Sequence, residues 1–157
     1  MKHQWWIPML LVLVIGASGV MYMGVRTYSD APPIPTYVDK DGTILIPGDQ
    51  ILAGQERFHR FMLMNYGSMF GDGAGRGPDF TAEALHRVAE SMRAYYHAAV
   101  PAASDTLVEG SIAARVSDEI KMNRYDTVTN RVFLNPAQVY ALDALRLYYA
   151  NQLRRPE

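Results

Sequence analysis

The side chains best suited to chemistry in this sequence are four histidines, His3, His59, His86 and His97. An imidazole can ligate a metal ion or move a proton near neutral pH. His86 and His97 stand eleven residues apart, so on one helix they share a face but lie about 16 Å apart along its axis. That separation forbids a shared ion. His59 is isolated, with Glu56 one turn before it and Arg60 beside it. No Ser-His-Asp set or carboxylate dyad assembles from local spacing, so structural or solvent-facing histidines are expected, with no catalytic, cofactor-binding or metal-ligating residue. The chain of 157 residues has no cysteine. This excludes a disulfide framework, a thiolate zinc site, a Cys-ligated iron–sulfur cluster, a catalytic thiol and a CxxCH haem attachment.

One stretch is unusual: Gly67, Gly71, Asp72, Gly73, Gly75, Arg76, Gly77, Pro78 and Asp79, leading into Phe80 and a helix start near Thr81. Glycines at this density resemble a phosphate cradle, but no Lys-Ser/Thr follows and no strong βαβ unit surrounds them. Two readings remain. The glycines let the backbone pack closely against a partner surface or a bulky group, or the segment is an irregular surface loop.

The elements that must position these residues begin with a membrane segment. From Trp5 to Val25 the chain reads WWIPMLLVLVIGASGVMYMGV, uncharged throughout, and 21 helical residues span about 30 Å, the thickness of the hydrocarbon layer. Trp5, Trp6 and Tyr22 occupy interfacial positions, Pro8 falls in the first turns, and Gly16 and Gly19 form a small-residue face for another helix. A cleaved signal peptide is the rival reading, given Lys2 and the cluster Ala17-Ser18-Gly19, but the apolar run is long for one and continues past that cluster. The expected order is a cytoplasmic segment 1–4, a transmembrane helix 5–25, a Pro-rich spacer 26–35 and an extracytoplasmic domain 36–157, single-pass in the cell's inner membrane.

Lys and Arg number 15 against 16 Asp and Glu, a net charge of −1, so the basic excess typical of nucleic-acid binders is missing. Hydrophobic residues make up 49%, ample for a packed core. Ala31-Pro32-Pro33-Ile34-Pro35 must be extended. Asp39-Lys40-Asp41-Gly42 between two β-prone runs predicts a hairpin, and Tyr125–Leu134 predicts a second, with Asn130 in its turn. Asp49 is a candidate cap for a helix reaching about Met64, with Ile51, Leu52, Phe58, Phe61 and Met62 as core positions. A second helix starts near Thr81, carries Leu85, Val88, Met92, Tyr95 and Ala99, and stops at Pro101. A third runs from about Ser104 to Asn123 with Ile112, Val116 and Ile120 as its stripe. Asn135-Pro136 caps the last, which carries Val139, Leu142, Leu145 and Tyr149. The fold class is mainly α, with two short β-hairpins.

Several stretches carry a resemblance: APPIPTYVDKDGTI, ILAGQERF, LMNYGSMFGDGAGRGPDFTAEALHR, AESMRAYY, IKMNRYD and LNPAQVYALDAL. In this order they resemble the amino-terminal extramembrane region of quinol-dependent nitric-oxide reductases, most specifically in GPDFTAEALHR and KMNRYD. The resemblance implies a transmembrane helix followed by a periplasmic domain of cytochrome-c-like fold that has lost its haem. It also implies a polytopic catalytic chain as partner, bearing haem b, haem b3 and non-haem iron. Aligned on Gly71-Asp72-Gly73-Ala74, the cysteines and histidine of haem-bearing relatives fall at Leu63, Tyr66 and Gly67, so no cofactor is expected on this chain.

By similarity, loop 67–80 faces the catalytic part near its haem propionates. Family members usually carry an aromatic where this chain has Gly75, which weakens the case for a contact to a bridging calcium ion. The family's catalytic helices are missing here, so the chain is expected to be a non-catalytic subunit or amino-terminal fragment that docks on and caps the catalytic chain, in membrane lipid. The alternatives are a free interaction or assembly protein that keeps the fold, and a stand-alone enzyme using His86, Asp72 or Asp79.

Overall fold

The computed structural model describes residues 6–73, 77–100 and 106–154. Expectations for His3, Trp5, Ala74, Gly75, Arg76, Pro101 and Ser104 fall outside them. The chain divides into two units, one ending at Pro33 and the other beginning at Ile34.

The first unit is helix α1, Trp6–Ser29, 24 residues long. Among the described residues it is the helix long and apolar enough to cross a membrane, and its side chains are exposed along its whole length. It continues past Val25 because nothing there breaks a helix. The Thr27 hydroxyl donates to the Met23 carbonyl at 2.8 Å and Arg26 pairs with Asp30 at 3.0 Å, before Pro32-Pro33 forces extended backbone. A Cβ placed on Gly16 or Gly19 would meet no atom within 4 Å, so that face is bare.

In the second unit the two predicted hairpins merge into one sheet. Strands β1 (Thr36–Val38) and β2 (Ile44–Ile46) are antiparallel around a turn in which Asp39 Oδ1 accepts from the backbone N–H of Asp41 and Thr43, at 2.9 and 2.8 Å. A later pair of strands, Tyr125–Asp126 and Arg131–Phe133, is antiparallel around a turn with Asn130 at φ 53°. The second strand of that pair lies parallel to β1, in register Thr36↔Arg131 to Val38↔Phe133. Val38, fully buried, sits at this junction, and its carbonyl accepts from Leu134 N–H at 2.8 Å.

Helix α2 spans Gly48–Arg60 and corrects two expectations. Pro47, not Asp49, is the N-cap; the Pro47 carbonyl already accepts from Gln50 N–H at 3.1 Å, which leaves Asp49 inside the first turn. The helix ends at Arg60, short of Met64, because Met62 adopts a left-handed conformation at φ 51° that no α-helix continues through. Leu52, Phe61 and Met62, expected in the core, are exposed, since no other described segment covers that face. A single turn of 3-10 helix follows at Leu63–Asn65.

Strands β3 (Ser68–Met69) and β4 (Asp72–Gly73) form a small ladder of their own; the strands at 125–126 and 131–133 are therefore β5 and β6. The core is built by three helices, α3 (Phe80–Ala99), α4 (Thr106–Lys121) and α5 (Pro136–Arg154). Met92, Ile112, Val116, Ala137 and Ala141 are buried together. Met92, Ile112 and Val116 lie on the predicted stripes, whereas Leu85 and Ala99 face solvent. Ala137 and Ala141, one turn apart on α5, present no bulk, so α5 seats closely on α3, and Val139, Leu142, Leu145 and Tyr149 flank that contact half-buried.

A polar clamp joins the same helices. The Glu119 carboxylate accepts from the Tyr96 hydroxyl at 2.7 Å, Arg115 Nε at 3.0 Å and Asn135 Nδ2 at 2.7 Å. Asn135 Oδ1 in turn caps α5 by accepting from Gln138 N–H at 2.8 Å. Burial pushes the Glu119 carboxyl up, but the donors outweigh it and hold the group below its ordinary value of 4.5. Burial and the neighbouring carboxylate push the Tyr96 phenol up to about 12.

A carboxyl lowered by folding contributes stability above its unfolded value and loses it as pH falls through its folded value. Glu119→Ala is expected to cost roughly 2–4 kcal/mol. Glu119→Gln is expected to remove part of the stability lost below about pH 4.5. Urea midpoints of the detergent-solubilised chain across pH check both. Met92→Ala is expected to cost about 2–5 kcal/mol in the same assay.

Candidate functional site

The glycine segment folds on itself. Phe70 and Gly71 occupy the tip between β3 and β4 with φ of 55° and 73°, a two-residue turn of the kind that matches strand twist. Ser68 N–H donates to the Pro78 carbonyl at 3.0 Å, which brings the start of the segment against its end. Gly67 is buried there. A Cβ on it would lie 2.5 Å from both the Phe80 ring and the Pro78 carbonyl. Gly77, at φ 92°, is tighter still, its Cβ falling 2.0 Å from the Tyr66 carbonyl oxygen. The close backbone approach expected of these two glycines is thus made within the chain, to Tyr66, Pro78 and Phe80.

Asp79 organises the segment. Its Oδ1 accepts from Thr81 N–H at 2.8 Å and Ala82 N–H at 3.0 Å, capping α3. Its Oδ2 accepts from the Ser68 hydroxyl at 3.2 Å and from Gly71 N–H. These donors, the Ala82 amide foremost, hold its carboxyl below the usual value. The Thr81 hydroxyl oxygen accepts from Phe70 N–H at 3.1 Å. The hairpin tip is therefore tied to the first turn of the helix at the centre of the core.

Beside the tip is an open cavity of about 550 Å³ lined by Phe58, His59, Met64, Met69 and Phe70. Phe58 meets Phe80 edge to face at 6.2 Å, which links the cavity wall to the filled space at Gly67. Among the described residues no Lys, Arg or carboxylate lines it. Exposed Phe61, Met62 and Tyr66 lie on the connection between α2 and β3, and Phe70 itself is 83% exposed.

The other candidate residues are scattered. His59 is on the cavity wall, His86 pairs with Glu90 at 3.2 Å on the surface of α3, and His97 pairs with Glu109 at 2.7 Å, linking α3 to α4. Among the described residues no group of three His or acidic side chains is arranged to hold a metal ion. Asp79 has both oxygens engaged and is ill-suited to act as a base. The residues do not fit a thioether-bound haem. The chain has no cysteine to hold one, and a side chain at position 67 would meet the Phe80 ring. Sequence reading missed the hairpin and the double use of Asp79. An Asp two residues before a helix-starting Thr was the available signal for the cap.

The family model for the NorB cytochrome c-like domain of nitric oxide reductase matches residues 35–157. No curated protein matches the chain.

Gly77→Ala is expected to cost at least about 2 kcal/mol, from overpacking against backbone and a left-handed φ. Asp79→Ala is expected to cost about 1–2 kcal/mol through the lost cap alone, with Asp79→Asn between it and the native chain. Thermal unfolding followed by circular dichroism ranks the three.

Proposed function

The chain belongs to the family of NorB cytochrome c-like domains of nitric oxide reductase, and from that premise we propose that it is the membrane-anchored, non-catalytic part of a quinol-dependent nitric-oxide reductase. The observation that carries the reading is the match over residues 35–157. It is supported by a helix fit to cross a membrane.

In this reading α1 anchors the chain in the inner membrane, with its amino terminus in the cytoplasm and the domain on the periplasmic side. The domain docks on and caps the catalytic chain, whose haem b, haem b3 and non-haem iron reduce nitric oxide to nitrous oxide in denitrification or detoxification. The segment Gly67–Asp79 is the docking loop, and the bare Gly16/Gly19 face of α1 receives a catalytic-chain helix. The chain itself moves neither electron nor proton; electrons from quinol enter the catalytic chain directly. Its contribution is a preformed surface, held by Asp79 and by the packing of Gly67 and Gly77.

The test is co-production of the tagged full chain with the catalytic part of a quinol-dependent nitric-oxide reductase, followed by purification in detergent. Haem absorbance is expected to co-elute with the tag, and the complex to consume nitric oxide with quinol while the tagged chain alone does not. A tagged chain that elutes without haem would overturn the proposal.

A further inference from the structure

We infer that Phe70 is a pre-strained docking anchor whose ring inserts into an uncharged apolar pocket on the outer surface of the haem-bearing catalytic chain; this rests on the docking reading above. The first observation is conformational. Phe70 sits at φ 55°, a region that disfavours a side chain bearing a Cβ and is an outlier for a bulky residue. The first position of such a turn ordinarily takes Asn, Asp or Gly. The second observation is exposure: at 83%, the ring gains almost nothing from its own fold. A residue costly to the backbone and nearly idle in packing points to a use outside the chain.

The third observation is rigidity. Phe70 N–H is held by Thr81 Oγ1 at 3.1 Å, and the next amide, Gly71 N–H, by Asp79 Oδ2. Both acceptors belong to the start of α3, so the ring is displayed on a fixed backbone and binding need not order the tip. A rigid aromatic at the centre of an apolar surround is the usual form of an interface hot spot. The surround is the cavity wall beside the ring, where Phe58, Met64 and Met69 line a space free, among the described residues, of Lys, Arg and carboxylate. An apolar cavity wall calls for an apolar pocket on the partner. The length and apolar character of α1, fit to cross a membrane, and the reductase family match select the membrane-embedded catalytic chain over a soluble protein.

The test uses the full chain carrying Phe70→Asn, co-produced with the catalytic part, with Val128→Asn as the control at an exposed apolar residue of the other turn (90% exposed). Phe70→Asn is expected to raise the melting temperature of the chain by about 2–5 °C, because Asn tolerates the left-handed turn, and to lower co-eluting haem at least tenfold. Val128→Asn is expected to change neither. Undiminished haem with Phe70→Asn, beside a wild type that binds, overturns the anchor and leaves the docking reading standing. A melting temperature that falls shows that Phe70 serves the fold and also overturns it. A wild type that elutes as a dimer, with Phe70→Asn monomeric and haem unchanged, overturns it too, assigning the ring to a second copy instead. A wild type without haem defeats both proposals together.

Discussion

One carboxylate holds the glycine-rich hairpin to the helical core. Asp79 spends one oxygen on the first turn of α3 and the other on the hairpin tip at Gly71 and Ser68. Helix α3 is packed by α4 and α5 through Met92, so whatever Asp79 holds is referred to the most rigid part of the molecule. An ionised acceptor with several amide donors is a strong local constraint. Here it fixes the hairpin tip at Ser68 and Gly71 to the first turn of α3.

The same economy appears in the rest of the domain. The domain packs Phe80 against Gly67 and closes its helices with two alanines and a polar clamp at Glu119. The core this produces is narrow. Helix α2 contributes no fully buried residue, and its apolar side, with the Phe61–Phe70 connection, is left facing outward. Exposed apolar surface on this scale characterises interaction sites more than finished monomers.

Helix stripes were legible in the sequence because Ile112, Val116 and Met92 are large and recur at helical steps. The caps at Asn135-Pro136 and the turns at Asp39 and Asn130 were legible because each uses local chemistry. What escaped depends on what is far away. Ala137 and Ala141 are buried because bulky neighbours close over them, which periodicity of large residues cannot register. Leu52, Phe61 and Met62 carry a core-like pattern yet face outward, since a hydrophobic stripe does not say which molecule covers it. The glycine segment could be read either as packing against a partner surface or a bulky group or as an irregular loop; Gly67 and Gly77 pack within the chain itself, against Tyr66, Pro78 and Phe80. The exclusion of a CxxCH motif is read directly from the lack of cysteine, whereas the packing of Phe80 on Gly67 required coordinates.

The parallel pairing of β1 with β6 has a temporal side. Val38 lies opposite Phe133, so the ribosome must add some 95 further residues after the first strand emerges before its neighbour exists, on the order of 5–20 s at ordinary elongation rates. Through that interval β1 has only β2 beside it, and a lone short hairpin is barely stable in water. The sheet is therefore a late event of biosynthesis. The nascent chain holds two unfinished strand edges until synthesis has passed Phe133, and this is when a chaperone would serve it most.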